Sequence, residues 1–186
     1  MLILASASPR RRELLSLITP DFTVDVSDVS EALPASISPA DAVETLALRK
    51  AEAVAARHDP ADVVIGSDTL VVLGGTILGK PRGRADAADM LRRLSGRTHE
   101  VVTGAAVLSG ADKTVFHSAA LVTFAVMSER EIAAYLDTGE PFDKAGAYGI
   151  QGYGARYIER VEGDYPAVVG LPVQRLYQAL RSHNII

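Results

Sequence analysis

The sequence Val-Val-Ile-Gly-Ser-Asp-Thr-Leu-Val-Val at residues 63–72 places four small or polar residues between two apolar runs. Apolar runs of this length predict buried strands at 63–65 and 70–73. A carboxylate between two buried runs needs a cation, a hydrogen-bond donor or a metal, because an unpaired charge is costly to bury. Gly66 would let the backbone turn or let a ligand approach closely. An aspartate that closes a turn is the alternative for Asp68, and this stretch alone leaves both open.

Short apolar runs and amphipathic stretches alternate along the rest of the chain. They predict an α/β protein with a mixed sheet and flanking helices. Further strands are predicted at 2–4, 100–108 and 114–126, the last two forming a hairpin around residues 109–113. Helices are predicted after Ser8, Ser38, Arg84, Ser128 and Leu171. Ser8-Pro9 and Ser38-Pro39 each supply an N-cap followed by proline at the first helical position.

Composition excludes several classes of protein and site. The chain has 186 residues, no cysteine and a net charge of −4, which argues against thiolate chemistry and against a nucleic-acid partner. No apolar run approaches the roughly 18 residues of a membrane span, and the first positive charges follow the apolar residues 1–5, unlike a secretory signal. We therefore expect a cytoplasmic protein without membrane contact. Residues 1–186 should form a single domain, with two lobes around a cleft as an alternative.

The turn after the first predicted strand, Ala5-Ser6-Ala7-Ser8-Pro9-Arg10-Arg11-Arg12, concentrates positive charge at the start of a helix. Cations are disfavoured there, because the helix dipole is already positive at that end. Serine hydroxyls, free backbone N–H groups and guanidinium groups together suit a phosphate. A solvated basic turn partnered by Glu13 is the alternative.

Lys50 is predicted to lie in the middle of an apolar helix face. The residues that share its stripe at the helical period are Val43, Leu46, Ala47 and Val54. A lysine at such a position needs a partner, and ligand binding would supply one. A side chain that extends to the edge of the face is an equally good interpretation.

Two loops could also contact a ligand. Gly79-Lys80-Pro81 places Lys80 in a stiff turn, although the full phosphate-loop pattern is absent. In residues 139–152, glycines alternate with polar and aromatic residues, so the backbone could approach a ligand while Tyr148 or Gln151 contacts a base edge. A glycine-rich connection with tight turns is the alternative. The histidines show no metal-binding spacing.

These segments together resemble the Maf family of nucleotide pyrophosphatases, in order and over nearly the whole chain. The motifs that carry the resemblance are Leu4-Ala5-Ser6-Ala7-Ser8-Pro9-Arg10-Arg11, Glu31, Arg49-Lys50-Ala51, Gly66-Ser67-Asp68-Thr69, Gly79-Lys80-Pro81, Leu94-Ser95-Gly96, residues 143–152 and Val169-Gly170-Leu171-Pro172. Each motif is weak by itself. Their ordered combination is specific.

The resemblance implies a mixed α/β fold with a central cleft, like that of the inosine triphosphatase group, and hydrolysis of a nucleoside triphosphate to monophosphate and pyrophosphate. By the family pattern, Asp68 is the general base, and Glu31 with Asp68 helps to place a divalent metal, Mg²⁺ or Mn²⁺. The residues implied to hold the triphosphate are Ser6, Arg10, Lys50 and Lys80. The family also implies a homodimer.

The family's specificity positions correspond to Arg11, Thr69 and Gln151, a set that is similar to the branch acting on dTTP and UTP. A pyrophosphatase for modified nucleotides and a nucleotide-binding regulator of cell division are the alternatives. Ser67 departs from the family pattern, which usually has alanine before the aspartate.

Overall fold

The computed structural model describes residues 1–34 and 36–186, in which seven strands form one sheet. The strands are β1 (Leu2–Leu4), β2 (Thr23–Val24), β3 (Val63–Leu73), β4 (Thr76–Leu78), β5 (Thr98–Ser109), β6 (Asp112–Phe124) and β7 (Ile158–Gly163). The sheet order is β2-β1-β3-β5-β6-β7, and β4 pairs with β3. β1 is parallel to β2 and β3, whereas β4 is antiparallel to β3 and β7 to β6. The prediction of a mixed α/β fold is therefore confirmed.

All five predicted helices are present. The helices are α1 (Pro9–Ser16), α2 (Pro39–Ala55), α3 (Arg84–Leu94), α4 (Glu129–Asp137), the short α5 (Tyr165–Val169) and α6 (Val173–Ser182). Ser8 and Ser38 cap α1 and α2 as predicted, since each side chain accepts a hydrogen bond from the backbone three residues later. Short 3₁₀ segments lie at Glu140–Asp143, Ala145–Ala147 and Tyr153–Tyr157.

The chain divides into two compact units, each built from separate segments. The first comprises residues 1–69, 103–118 and 170–186, and its buried core includes Ile3, Ala47, Val64 and Ala106. The second comprises residues 70–102 and 119–169, and its core includes Leu91, Phe124, Ile132 and Tyr135. Among the described residues, no helix is both long enough and apolar enough to cross a bilayer.

Strand β3 continues without a break from Val63 to Leu73. The prediction of two strands interrupted by a polar quartet is therefore wrong, and so is the alternative of an aspartate that closes a turn. Polar side chains can lie within a strand if they find partners, because the backbone keeps its own hydrogen bonds. Successive strand residues face opposite sides, so Gly66 and Asp68 share one face and Ser67 and Thr69 share the other.

Gly66 and Gly104 allow two strands to pack directly on the backbone of α2. A Cβ at Gly66 would lie 2.0 Å from the carbonyl oxygen of Ala47, and one at Gly104 would lie 2.3 Å from that of Val43. These two carbonyls are about one helical turn apart, so no side chain separates the helix from β3 or β5 there. The prediction that Gly66 lets the chain turn or admits a ligand is wrong, because the helix occupies that space.

In the second unit, His99, Phe124 and Tyr148 form a buried aromatic cluster. The ring centroids of Phe124 and Tyr148 are 4.8 Å apart, and His99 Nε2 lies 2.7 Å from the Tyr148 hydroxyl. Tyr148 is therefore a core residue, and the alternative in which it contacts a base edge is wrong. His99 Nδ1 is buried and has no hydrogen-bond partner among the residues that the structure describes. Burial lowers the pKa of His99 from its ordinary value of 6.5 to about 4.

The lowered pKa of His99 predicts a loss of stability in mild acid. The folded protein keeps His99 neutral while the unfolded chain takes up a proton below pH 6.5, so the contribution of His99 is complete above that pH and disappears toward pH 4. The shift corresponds to about 3 kcal/mol in the free energy of unfolding. Urea unfolding at several pH values between 7 and about 4.5 measures it.

The quantity to compare is the slope of the unfolding free energy against pH. The stability at a single pH is not sufficient, because replacing a buried ring lowers stability at every pH. His99→Asn should flatten the dependence of the unfolding free energy on pH in this range. A slope that His99→Asn leaves unchanged would assign the acid sensitivity to other groups.

Candidate active site

Lys50 joins two of the predicted site carboxylates in the first unit. Its Nζ lies 2.5 Å from Asp68 Oδ1 and 2.8 Å from Glu31 Oε1. The side chains of Lys50 and Asp68 are only 13% and 11% exposed, whereas Glu31 is 60% exposed. The lysine on the apolar face of α2 therefore has partners, as its position requires, and its contact with a ligand stays a prediction.

Backbone packing holds Lys50 and Asp68 together. Asp68 shares the face of β3 with Gly66, and the Cβ position of Gly66 falls against Ala47 and Ala51 of α2, one on each side of Lys50 in the sequence. This backbone contact thus determines the distance between α2 and β3 close to the ion pair of Lys50 and Asp68. Glu31 comes from the segment before α2 and is not fixed by this packing.

Arg49 fixes the segment that carries Glu31. Its Nη1 donates a 2.8 Å hydrogen bond to the carbonyl of Ala32, the residue after Glu31. Arg49 and Lys50 are adjacent on α2, so one helix turn binds both the backbone and the carboxylate of this segment. Arg49 was not predicted to have a role in the site, although it belongs to the Arg49-Lys50-Ala51 motif.

Arg11 is held on the other side of β3 by three oxygen atoms. Its Nε donates to the Gly170 carbonyl at 2.8 Å, Nη1 to Ser6 Oγ at 3.3 Å and Nη2 to Thr69 Oγ1 at 3.1 Å. Burial lowers the pKa of Arg11, and the charge of Asp68 opposes that shift. Arginine remains protonated regardless, so the first unit keeps a fixed, partly buried positive charge beside Asp68.

The turn before α1 has the features of an anion site. Ser6 Oγ accepts from the backbone N–H of Ser8 at 3.2 Å, and Ser8 Oγ accepts from that of Arg11 at 3.4 Å. The first turn of α1 contains no acidic residue. Within residues 1–34 and 36–186, the partly buried Arg10 has no hydrogen bond or ion pair through its side chain. Glu13, suggested as a partner for a solvated turn, does not pair with these arginines.

Lys80 and Gln151, the two remaining predicted site residues, are exposed and belong to the second unit. The first unit thus brings together Asp68, Lys50 and Glu31 on one face of β3 and Arg11 with Thr69 on the other. Ser6 joins the Arg11 group.

Three groups that support Arg11 and Thr69 were not predicted from the sequence. Thr103 Oγ1 lies 2.9 Å from Thr69 Oγ1. The buried Ser67 hydroxyl lies 2.8 Å from the carbonyl oxygen of Gly104 and 3.1 Å from that of Gly170, so its single proton is shared between two acceptors. The Gly170 carbonyl therefore accepts from both Ser67 and Arg11. A threonine in the otherwise apolar run of β5 was the available signal for Thr103. Gly170 belongs to one of the motifs of the resemblance, but the sequence could not indicate the orientation of its carbonyl, which depends on the backbone, where φ is +134°.

The chain is similar to known proteins over nearly its whole length. A profile of the family described as "Maf-like protein" matches residues 1–183. A protein of Bacillus cytotoxicus named dTTP/UTP pyrophosphatase is 51% identical over 182 residues, which cover 98% of this chain and 95% of the relative. One of Symbiobacterium thermophilum with the same name is 52% identical over 179 residues, covering 96% and 92%.

A solved structure, that of the Staphylococcus aureus Ham1 protein, has the same fold. It aligns with a TM-score of 0.55 at 18% identity and covers 98% of both chains. At this identity the likeness concerns the fold alone.

Proposed function

Because the chain belongs to the Maf-like protein family, as its ordered motifs predicted, we propose that it hydrolyses dTTP and UTP to the nucleoside monophosphate and pyrophosphate. The relatives named for this activity are about half identical and match almost end to end. The structural observation that carries the proposal is the buried pair of Asp68 and Lys50, 2.5 Å apart, together with the anchored Arg11, whose charge interacts with that of Asp68. Such a set of charges suits water activation beside a polyanion.

In the proposed reaction, Asp68 takes a proton from the attacking water. Lys50 occupies Asp68 Oδ1, which leaves Oδ2 to accept that proton while the water oxygen forms a bond to the α-phosphorus. The bond between the α-phosphorus and the bridging oxygen breaks, and pyrophosphate leaves with both bonding electrons. Lys50 fixes the orientation of the carboxylate through this contact.

The basic residues and the turn before α1 would bind the triphosphate. We assign this contact to Ser6, Arg10, Arg11, Lys50 and Lys80. Arg11 and Thr69 would act jointly on the substrate, because the 3.1 Å hydrogen bond between them makes the position of one depend on the other. Gln151, in the second unit, would contact the base edge through its amide.

A divalent cation, Mg²⁺ or Mn²⁺, belongs to this proposal. Glu31 and Asp68 offer the hard oxygen ligands that such ions prefer, and both already converge on one positive charge, the Lys50 ammonium. No group of three His, Asp or Glu side chains in the described part of the chain could hold a metal by itself. Phosphate oxygens and water would complete the shell. When bound, the cation would offset the charge of the triphosphate.

A single functional domain over residues 1–186, a cytoplasmic location and a homodimer remain parts of the proposal. The acidic net charge of −4 supports a small-molecule substrate over a nucleic acid.

The activity itself is the first test. Incubation of the purified protein and Mg²⁺ with a panel of canonical and modified triphosphates should release pyrophosphate and monophosphate chiefly from dTTP and UTP. Hydrolysis in ¹⁸O-labelled water should place the label in the monophosphate, because attack is at the α-phosphorus. Orthophosphate and nucleoside diphosphate as the products would contradict the proposal, and a preference for a modified nucleotide would favour the alternative pyrophosphatase.

A further inference from the structure

In the second unit, the loop that carries Gln151 is fastened on both sides of that residue. Gly149 donates its backbone N–H to the Tyr135 hydroxyl at 3.0 Å. Tyr153 and Gly154 donate theirs to the Glu140 carboxylate, at 2.7 Å to Oε2 and 3.0 Å to Oε1. The anchored N–H groups at 149 and 153 lie two residues before and two residues after Gln151.

Tyr135 and Glu140 form one structure, because the Tyr135 hydroxyl donates a 2.7 Å hydrogen bond to Glu140 Oε1. Tyr135 is a core residue on α4, and its ring packs on Tyr157 with centroids 5.5 Å apart. The hydroxyl therefore cannot move without the helix. Through it, the α4 framework determines the positions of both ends of the loop. We call these two side chains, Tyr135 and Glu140, the loop clamp.

The glycines of this loop make room for the loop clamp. A Cβ at Gly152 would lie 2.0 Å from Glu140 Oε2, and one at Gly154 would lie 2.6 Å from the Tyr135 hydroxyl. A Cβ at Gly149 would lie 2.9 Å from Cε and 3.1 Å from Cδ of Lys144, and 3.2 Å from Glu140 Oε1. The glycine-rich composition thus has a physical cause within the protein itself, namely the close wrapping of backbone around a carboxylate and a phenol.

Charge also supports the loop clamp. Burial alone would raise the pKa of Glu140, but hydrogen bonds from Tyr135 and from the backbone of Gly154 and Tyr153 outweigh it and lower the pKa. An ionised carboxylate accepts stronger hydrogen bonds than a neutral one. Gln151 itself is exposed, and within the described residues its side chain has no hydrogen bond. Its position follows from the backbone on either side.

We propose that Tyr135 and Glu140 are positioning residues for substrate selection, acting through Gln151 by holding residues 149–154 in one conformation. The inference rests on the proposed function, in which Gln151 contacts the base. A loop free to adopt several conformations would reach the base in only a fraction of the molecules, and apparent affinity falls with that fraction. The chemical step at the phosphate does not involve the loop clamp.

The test is Tyr135→Phe, which removes the hydroxyl and keeps the buried ring. We expect KM for dTTP and UTP to rise by about tenfold, as expected for the loss of one or two hydrogen bonds, while kcat changes by less than about twofold. The matched control is Tyr157→Phe. It removes a hydroxyl that donates to the Glu131 carbonyl at 3.4 Å, away from the loop, and should keep the KM of the parent protein.

A double-mutant cycle with Gln151→Ala separates positioning from a general structural effect. If the loop clamp acts through Gln151, Tyr135→Phe should raise KM in the parent background and have little further effect in Gln151→Ala. An equal effect of Tyr135→Phe in both backgrounds would overturn the inference. The inference would also be overturned if Tyr135→Phe leaves KM unchanged while Gln151→Ala raises KM.

Failure of the role proposed for Gln151 gives a different result. If Gln151→Ala keeps the preference for dTTP and UTP, Gln151 does not select the substrate, and the inference is overturned together with that assignment. Glu140→Gln serves as a second variant if Tyr135→Phe does not fold, since it removes the carboxylate charge and places an amide against backbone donors. It should reproduce the rise in KM, and a KM equal to that of the parent would count against the loop clamp.

Discussion

Asp68→Asn is expected to lower kcat by roughly two to four orders of magnitude, the usual contribution of a general base. The amide keeps the size and position of the side chain, but it accepts no proton from the attacking water. Because Asp68→Asn keeps every residue assigned to the triphosphate, the nucleotide should still bind, and KM should change less than kcat. Steady-state release of pyrophosphate from dTTP measures kcat, and isothermal titration with the nucleotide measures binding.

Stability separates this effect from misfolding. Lys50 retains its 2.8 Å contact with Glu31 in Asp68→Asn, so no buried ammonium is left unpaired, and the urea midpoint should stay close to that of the parent. Asp25→Asn is the control, because it removes another ion-paired carboxylate of the first unit, bound to Arg57 and His58. It should keep full activity. An Asp68→Asn protein within about tenfold of the parent kcat would place the general base elsewhere.

Gly66→Ala is expected to destabilise the protein by at least about 3 kcal/mol, at the upper end of the cost of overpacking. The added methyl carbon would lie 2.0 Å from the carbonyl oxygen of Ala47 and 2.9 Å from the backbone nitrogen of Ala51. Both are backbone atoms of α2, so no side-chain rotation relieves the clash. The helix must move away from β3, and the midpoint of urea unfolding should fall accordingly.

Gly79→Ala is the matched control for this change. No atom lies within 4 Å of a Cβ built there, and its backbone is not in the left-handed region, so the same methyl group should change stability by less than about 1 kcal/mol. A Gly66→Ala protein as stable as Gly79→Ala would mean that α2 can shift at little cost. Any folded Gly66→Ala protein should also have lower activity, because the shift separates Lys50 from Asp68.

Local signals in the sequence predicted much of the first unit. Serine followed by proline marks a helix start through the geometry of its own backbone, and Ser8 and Ser38 cap their helices as predicted. Lys50 on an apolar stripe demanded a partner for energetic reasons, and the structure supplies Asp68 and Glu31. The roles of these residues in catalysis are still predictions.

Features that depend on distant parts of the chain could not be predicted. The polar quartet in β3 indicated a break because sequence cannot show that a carbonyl of Gly170 receives the Ser67 hydroxyl. The short strands β2 and β4 have two and three residues, too few for any periodicity. Gly149 and Gly152 suggested space for a ligand, whereas Glu140 and Lys144 fill the space next to them.

The contact of Gly66 and Gly104 with α2 has a consequence for how the protein can change during evolution or in the laboratory. Backbone contacts, and not side chains, determine the separation of α2 from β3 and β5 at these points. Apolar replacements at Val43, Leu46 or Val54 should therefore alter the core volume and leave Lys50 and Asp68 in contact. The two glycines themselves admit no substitute. Libraries that randomise the apolar face of α2 should therefore yield many active variants, whereas those that vary positions 66 and 104 should yield almost none.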